Sequence, residues 1–138
     1  MPDGIDLVLT DHRWVHELFA SFEASGDPTV VGQIFDALAA HDAAEHGALY
    51  PLAGTLLGDP AMLERFAAAH SAVKQQIDRI RHTEGAALLA GVTQLKKLVD
   101  AHVRDEETKL LPKIRDAATP QQLEELGARI QATKQRVG

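Results

Sequence analysis

The stretch His41-Asp42-Ala43-Ala44-Glu45-His46-Gly47-Ala48-Leu49-Tyr50-Pro51-Leu52 has a counterpart 61 residues later, His102-Val103-Arg104-Asp105-Glu106-Glu107-Thr108-Lys109-Leu110-Leu111-Pro112-Lys113. Each copy has His, Glu four residues on, Leu at eight and Pro at ten. Helical residues four apart share a face and lie about 6 Å apart along the axis. Each copy therefore offers one imidazole and one carboxylate to the same neighbour. That is a ligand pair for a metal, made twice.

Working outward, the apolar periodicity is helical throughout and no stretch alternates like a strand. Helices are expected over about residues 5–24, 29–57, 61–82, 86–116 and 120–136. Ser25-Gly26-Asp27-Pro28 and Gly58-Asp59-Pro60 read as stops followed by new starts, and Thr119-Pro120 as an N-cap with Pro at the first helical position. Short connections between long helices imply antiparallel neighbours. The expected fold is all-α: an up-down-up-down antiparallel four-helix bundle over about residues 5–116 with a short C-terminal fifth helix. A chain of 138 residues fits a single domain, 1–138. The fifth helix carries a narrow apolar stripe, Leu123, Leu126 and Ile130, suited to covering the bundle or to a dimer contact; the oligomeric state stays open.

Each of the four long helices has an apolar seam at steps of three and four residues. Helix one gives Ile5, Val8, His12, Val15, Phe19 and Phe22; helix two gives Val31, Ile34, Leu38, His41, Glu45, Ala48 and Leu52. Helix three gives Leu63, Phe66, His70, Val73, Ile77 and Ile80; helix four gives Leu88, Val92, Leu95, Val99, His102, Glu106 and Leu110. One histidine thus falls on every seam, and two seams add a glutamate. An unpaired buried carboxylate costs several kcal/mol, against a net stability of only about 5–15 kcal/mol for a domain. Bound cations supply the compensating charge.

The expected metal ligands are His12, His41, Glu45, His70, His102 and Glu106. Two carboxylates from different helices can bridge two cations about 3.5–4 Å apart, with imidazoles in the terminal positions. Four nitrogens and two carboxylates without sulfur favour two iron ions (Fe2+/Fe3+), with manganese or zinc ranked below. Six protein ligands leave both ions incomplete, which calls for an oxo or hydroxo bridge and at least one open position. The spacing is not the Glu-x-x-His of ferritin-like di-iron proteins, since no histidine here has a glutamate three residues before it.

Asp11-His12, His41 with Glu45 and the trailing Leu49-Tyr50-Pro51, His70, and His102 with Glu106-Glu107 and Leu110-Leu111-Pro112 resemble the haemerythrin-like (HHE cation-binding) family over about residues 5–116. The resemblance implies a non-haem di-iron site in a four-helix bundle. Members bind dioxygen or nitric oxide, sense oxygen or iron, decompose peroxide, or help repair iron centres. Two departures stand out. Where oxygen-carrying members have a second histidine on helix three, this chain has Lys74, which widens the open site. His46 stands where an acidic residue is common.

Four further residues flank the site. His16, about 40° around helix one from His12, reads as a boundary histidine, with a supplementary ligand as the alternative. His46, about 100° from Glu45, is expected at a helix interface or in solvent, with a supporting hydrogen bond to the site or an extra ligand as the alternative. The stem of Lys74 packs beside His70 with its amine in water; turned inward it would hydrogen-bond a bound anion. Tyr50 points about 140° from Glu45 on an ideal helix and is expected between helices, away from the metals. Pro51 and Pro112 cannot donate to the carbonyls of Gly47 and Thr108, so both helices should kink, and the kink at Pro51 could swing the phenol inward as a hydrogen-bond donor to the site or even a ligand. His82 reads as the last turn of helix three.

The expected function is that of a di-iron protein binding dioxygen, nitric oxide or hydrogen peroxide for sensing, storage or scavenging. Its pocket is expected to be lined by Val8, Leu38, Phe66, Val73 and Leu98 or Val99. The rivals are a di-iron peroxidase or catalase-like enzyme, with Lys74 or Tyr50 assisting, and an iron-responsive regulatory module. A net charge of −6 and 4% aromatic residues argue against nucleic acid as a partner. Zero cysteines remove disulfides, thiolate zinc and iron–sulfur ligation. No apolar run approaches a membrane span and no signal peptide is legible, so a cytoplasmic location is expected.

Overall fold

A computed structural model describes residues 2–137. Helix α1 is Gly4–Ser25; α2, Pro28–Ala44, runs through a π-helical turn, Glu45–Leu49, into α3, Tyr50–Leu57. Helix α4 is Pro60–Ile80. Helix α5, Gly85–Asp105, runs through a second π turn, Glu106–Leu110, into α6, Leu111–Ala117, and α7 is Pro120–Val137. No strand forms among the described residues. The four long rods make the up-down-up-down bundle, and α7 is the fifth.

The starts are fixed by local chemistry. Asp3 accepts from the Asp6 N–H at 3.0 Å while Asp6 accepts from the Asp3 N–H at 3.1 Å, a reciprocal box. Asp27 and Asp59 cap α2 and α4 immediately before Pro28 and Pro60. Thr119 and Gln122 repeat the reciprocal arrangement at the start of α7, at 2.9 and 3.1 Å. Gly26, with φ of 66°, takes the left-handed conformation that ends α1 and turns the chain towards α2. Helix α4 stops two residues before His82, which therefore lies exposed in the turn rather than in a helical last turn.

The prolines act differently from a simple kink. In each copy of the motif the turn before the proline is widened, with Tyr50 N–H donating to Glu45 C=O and Leu111 N–H to Glu106 C=O. An i→i+5 bond inserts one extra residue into the turn. The donor missing at Pro51 and Pro112 is absorbed by the wider turn, and the rods continue beyond it.

The core has two apolar clusters. One gathers Phe19, Phe22, Ile34, Leu95 and Val99 towards one end of the bundle. The other gathers Ile5, Val8, Leu49, Phe66, Leu110 and Ile114, and takes in Leu123, Leu126 and Ile130 of α7. Between them lies a belt of buried His and Glu. The stripe on α7 thus covers this chain's own bundle, against α1, α2 and the first π turn. Gly4 of α1 lies so close to Leu126 that a side chain there would overlap it.

Leu126 is 2% exposed. Its replacement by Ala should lower the unfolding free energy by about 2–5 kcal/mol. Leu89→Ala, at a 53% exposed position, should change it by no more than about 0.5 kcal/mol. Chemical denaturation of both variants checks the placement of α7; equal small effects would contradict it.

Candidate metal centre

Six donors converge at the belt from four rods: His12 on α1, His41 on α2 with Glu45 just after it, His70 on α4, and His102 on α5 with Glu106 just after it. The glutamates are 1% and 0% exposed. Their metal-competent atoms form two overlapping groups, His12, His41, Glu45 and Glu106, and Glu45, His70, His102 and Glu106, each within 4.8 Å. The shared members are the two carboxylates. Glu106 presents Oε1 to His12 Nε2 at 3.2 Å and Oε2 to His102 Nε2 at 3.2 Å. Glu45 Oε1 lies 3.1 Å from His41 Nε2 and 2.8 Å from His70 Nε2. Each carboxylate therefore spans both groups.

Hydrogen bonds alone do not satisfy this cluster. His12 Nε2, His41 Nε2, Glu45 Oε2 and Glu106 Oε1 are buried without a hydrogen-bond partner. Buried polar atoms are normally paired, and orphans aimed at one point call for an ion. His70 Nε2 and His102 Nε2 approach to 2.9 Å. Nitrogen and oxygen donors without sulfur fit a hard or borderline divalent or trivalent cation.

Three carboxylates hold the imidazoles from outside. Glu107 meets His12 Nδ1 at 2.7 Å, Asp11 meets His41 Nδ1 at 3.1 Å, and Asp42 meets His70 Nδ1 at 2.5 Å. Each contact turns Nε2 towards the glutamates, the usual way an outer acid orients a ligating histidine. Lys134 of α7 bonds Asp11 and so ties the fifth helix to His41. Burial pushes the Asp11 carboxyl up, but His41 and Lys134 hold it below its ordinary value. Sequence reasoning gave Asp42 and Lys134 no part, and noted Asp11 and Glu107 only as motif. Their signal is adjacency: each of the three acids is next in the chain to a ligand.

Tyr50 departs from the α-helical expectation. The π turn brings it round onto the face of Glu45, and its Oη lies 2.8 Å from His70 Nε2, 2.9 Å from Glu106 Oε2 and 3.3 Å from Glu45 Oε1. The phenol thus closes the side of the belt facing Phe66, whose ring stacks on it at 6.1 Å. Burial between two glutamates pushes the phenol far above its ordinary value. The other flanking residues stay outside. Lys74 pairs with Asp42 at 3.1 Å and its side chain is 63% exposed. His46 is exposed, 3.4 Å from Asp42 Oδ1 and edge-on to His70. His16 is exposed in a groove between α1 and α5.

Opposite Tyr50, a cavity of about 420 Å³ reaches all four ligand histidines. Leu38, Val73 and Val99 line it as expected, joined by Val15, Phe35 and Ile77. Val8 and Phe66 do not; they pack in the apolar cluster on the far side of the belt. Leu98 is not in the lining either.

In the metal-free protein, protons take the place of cations. Burial pulls the His102 imidazole down, but hydrogen bonds to Glu106 and Glu45 carry it up to about 9 from 6.5. Burial acts the same way on His41, and Glu45 raises it well above 6.5. A histidine raised on folding stabilises the fold fully below its unfolded value and loses that contribution as pH rises through its folded value. The melting temperature of the metal-free protein should therefore fall between pH 6.5 and 9. Metal must displace these protons, so the stabilisation it adds should grow over the same interval. Thermal melts with and without chelator test this; a metal-free melting temperature that is flat or rising would contradict it.

Glu45→Ala or Glu106→Ala should abolish metal binding, read as metal per chain, because each carboxylate serves both donor groups. Metal content that falls only in part, or not at all, would break the shared assignment.

Comparison with known proteins agrees with this architecture. The family described as Hemerythrin HHE cation binding domain matches residues 3–114. A DNA nickase of Nostoc sp. is 30% identical over 138 residues, covering 96% of this chain and 39% of that protein. The chain thus spans about two fifths of that relative's length. The crystal structure of a Hemerythrin HHE cation binding domain-containing protein from Mycobacterium kansasii superposes with a TM-score of 0.84 at 19% identity, over 99% of this chain and 88% of that one, and shares the fold. The chain therefore belongs to the hemerythrin HHE cation-binding domain family, in keeping with a metal held by the buried His and Glu cluster at its waist.

Proposed function

We propose that the protein is a non-haem di-iron protein that binds a small ligand, dioxygen, nitric oxide or hydrogen peroxide, on the cavity side of the belt. The observation that carries this reading is the pair of donor groups sharing Glu45 and Glu106. His12 and His41 would hold one ion with the two carboxylates; His70, His102 and Tyr50 would hold the other. When bound, the iron pair supplies reversible one- and two-electron chemistry. The first group has four protein donors and the second five, so coordination is least complete beside His12 and His41.

The chain's own residues set the access. Leu38, Val73, Ile77 and Val99 keep the approach apolar, which limits water and protons in front of the imidazoles. Tyr50 seals the opposite face, its Oη turned to His70 and Glu106. Asp11, Asp42 and Glu107 fix the ring orientations. Exposed Lys74, Asp78 and Arg81 line the outer end of the cavity, so the cavity reaches solvent. A solvent-facing route to the less completely held ion favours a second reading, peroxide decomposition, over simple carriage.

The nicking activity named for the Nostoc relative belongs to a protein more than twice this length. A net charge of −6 disfavours a phosphate backbone as partner. That activity is not carried over. No described helix is long and apolar enough to cross a membrane.

The test is metal content with the ultraviolet–visible spectrum. Two irons per chain are expected, with a spectrum that changes reversibly under dioxygen or nitric oxide, or with oxygen release on adding peroxide. Tyr50→Phe should keep both ions but remove any absorption arising from phenolate on ferric iron. One metal or fewer per chain, or zinc throughout, would overturn the reading.

A further inference from the structure

The cavity over the imidazoles is far larger than the ligands named above require. It holds about 420 Å³, whereas a diatomic or peroxide needs the space of one or two waters, about 30–60 Å³. Clefts of roughly 300–1,000 Å³ with apolar walls and a few placed polar groups are the sites of small organic molecules. The cavity follows α4 from His70 to Arg81, the residue that caps its end. That is eleven residues of helix, about 16 Å. Between those ends Leu38, Val73, Ile77 and Val99 form an apolar wall, beside which Asp42 and Lys74 are paired with each other at 3.1 Å.

The outer end carries a cation with spare donors. The Arg81 guanidinium lies over the Phe35 ring, 5.3 Å from its centroid. Its acidic neighbour, Asp78, is exposed and forms an ion pair with it through Nε at 3.6 Å, leaving the two terminal nitrogens to other partners. Its terminal nitrogens make no hydrogen bond among the described residues. Lys74, by contrast, is already taken by Asp42 at 3.1 Å. A planar guanidinium with free donors, held on an aromatic face at the mouth of an apolar slot, matches a carboxylate.

We propose that the cavity binds an amphipathic monocarboxylate of about 8–14 heavy atoms, taking roughly 30 Å³ for each. Its head pairs with Arg81 and its hydrocarbon chain runs inward towards the imidazoles. This builds on the small-ligand reading by giving the same approach a second occupant. A bound chain fills the route to His12, His41, His70 and His102, so the organic anion governs small-ligand access to them.

Calorimetric titration of the metal-loaded protein with decanoate tests this. Saturable one-to-one binding is expected, with a negative heat-capacity change from burial of the chain. Butyrate, six methylenes shorter, should bind at least about a hundredfold more weakly. Arg81→Gln, at a surface position, should weaken decanoate about tenfold or more with the helical circular dichroism unchanged. Absence of saturable binding at millimolar decanoate would overturn the proposal. So would binding that ignores Arg81→Gln while altering the metal spectrum, since the head would then be on the metal. Repeating the titration on zinc-loaded protein separates the two readings. Binding there supports the cavity whatever the iron chemistry proves to be. A two-iron protein that takes no decanoate keeps the small-ligand function and loses this one.

Discussion

Two carboxylates, Glu45 and Glu106, lie at the centre of the bundle with almost no exposure, and the rest of the structure is arranged around that fact. Negative charge in so dry a place is tolerable only beside comparable positive charge. Protons on His41 and His102 provide part of it in the metal-free protein, and cations provide it in full. The apolar core is consequently split in two, with the polar belt between. One cluster is closed by α7 and Tyr50; the other opens into the cavity. The chemistry faces one way because the fold is sealed the other way.

The architecture and the six donors could be read from residue order because they obey one rule, helical periodicity. Every seam histidine and both seam glutamates are buried where steps of three and four place them. Tyr50 was legible only as the lesser alternative because that rule breaks at the π turn. Five residues on from Glu45, an α-helix turns the phenol well away, while an i→i+5 turn returns it to the same face. The proline that announces the irregularity says only that a donor is missing, not whether the rod bends or widens. The repeat in the second copy makes the contrast plain: Leu111 follows the same turn as Tyr50 does, and there the residue brought round is apolar and fully packed.

Helix α7 shows a different limit. Its stripe of Leu123, Leu126 and Ile130 declared that something would cover it, but a stripe does not name its partner. The partner is set by close approach at Gly4 and by the polar tie from Lys134 to Asp11, both long-range matches between distant parts of the chain. The pocket lining erred for a related reason. Val8 and Phe66 are on the right seams but on the wrong side of the belt, and a seam does not reveal which of its ends stays open.

The outer carboxylates follow an order that joins sequence to mechanism. Going round the bundle, Asp11 beside His12 on α1 supports His41 on α2. Asp42 beside His41 on α2 supports His70 on α4, and Glu107 beside Glu106 supports His12 on α1. In each case a residue one step along the helix, rotated by about 100°, reaches the ligand of the neighbouring rod. The next partner in the circle would come from α4 to His102, but His70 is flanked by Ala69 and Ser71, neither of which is an acid. His102 Nδ1 is accordingly buried without a partner. Its ring is oriented by Glu106, by the edge of Phe66 and by contact with His70, all on the metal side or apolar. Three imidazoles are therefore aligned by an outer carboxylate, and the fourth by contacts within the belt itself.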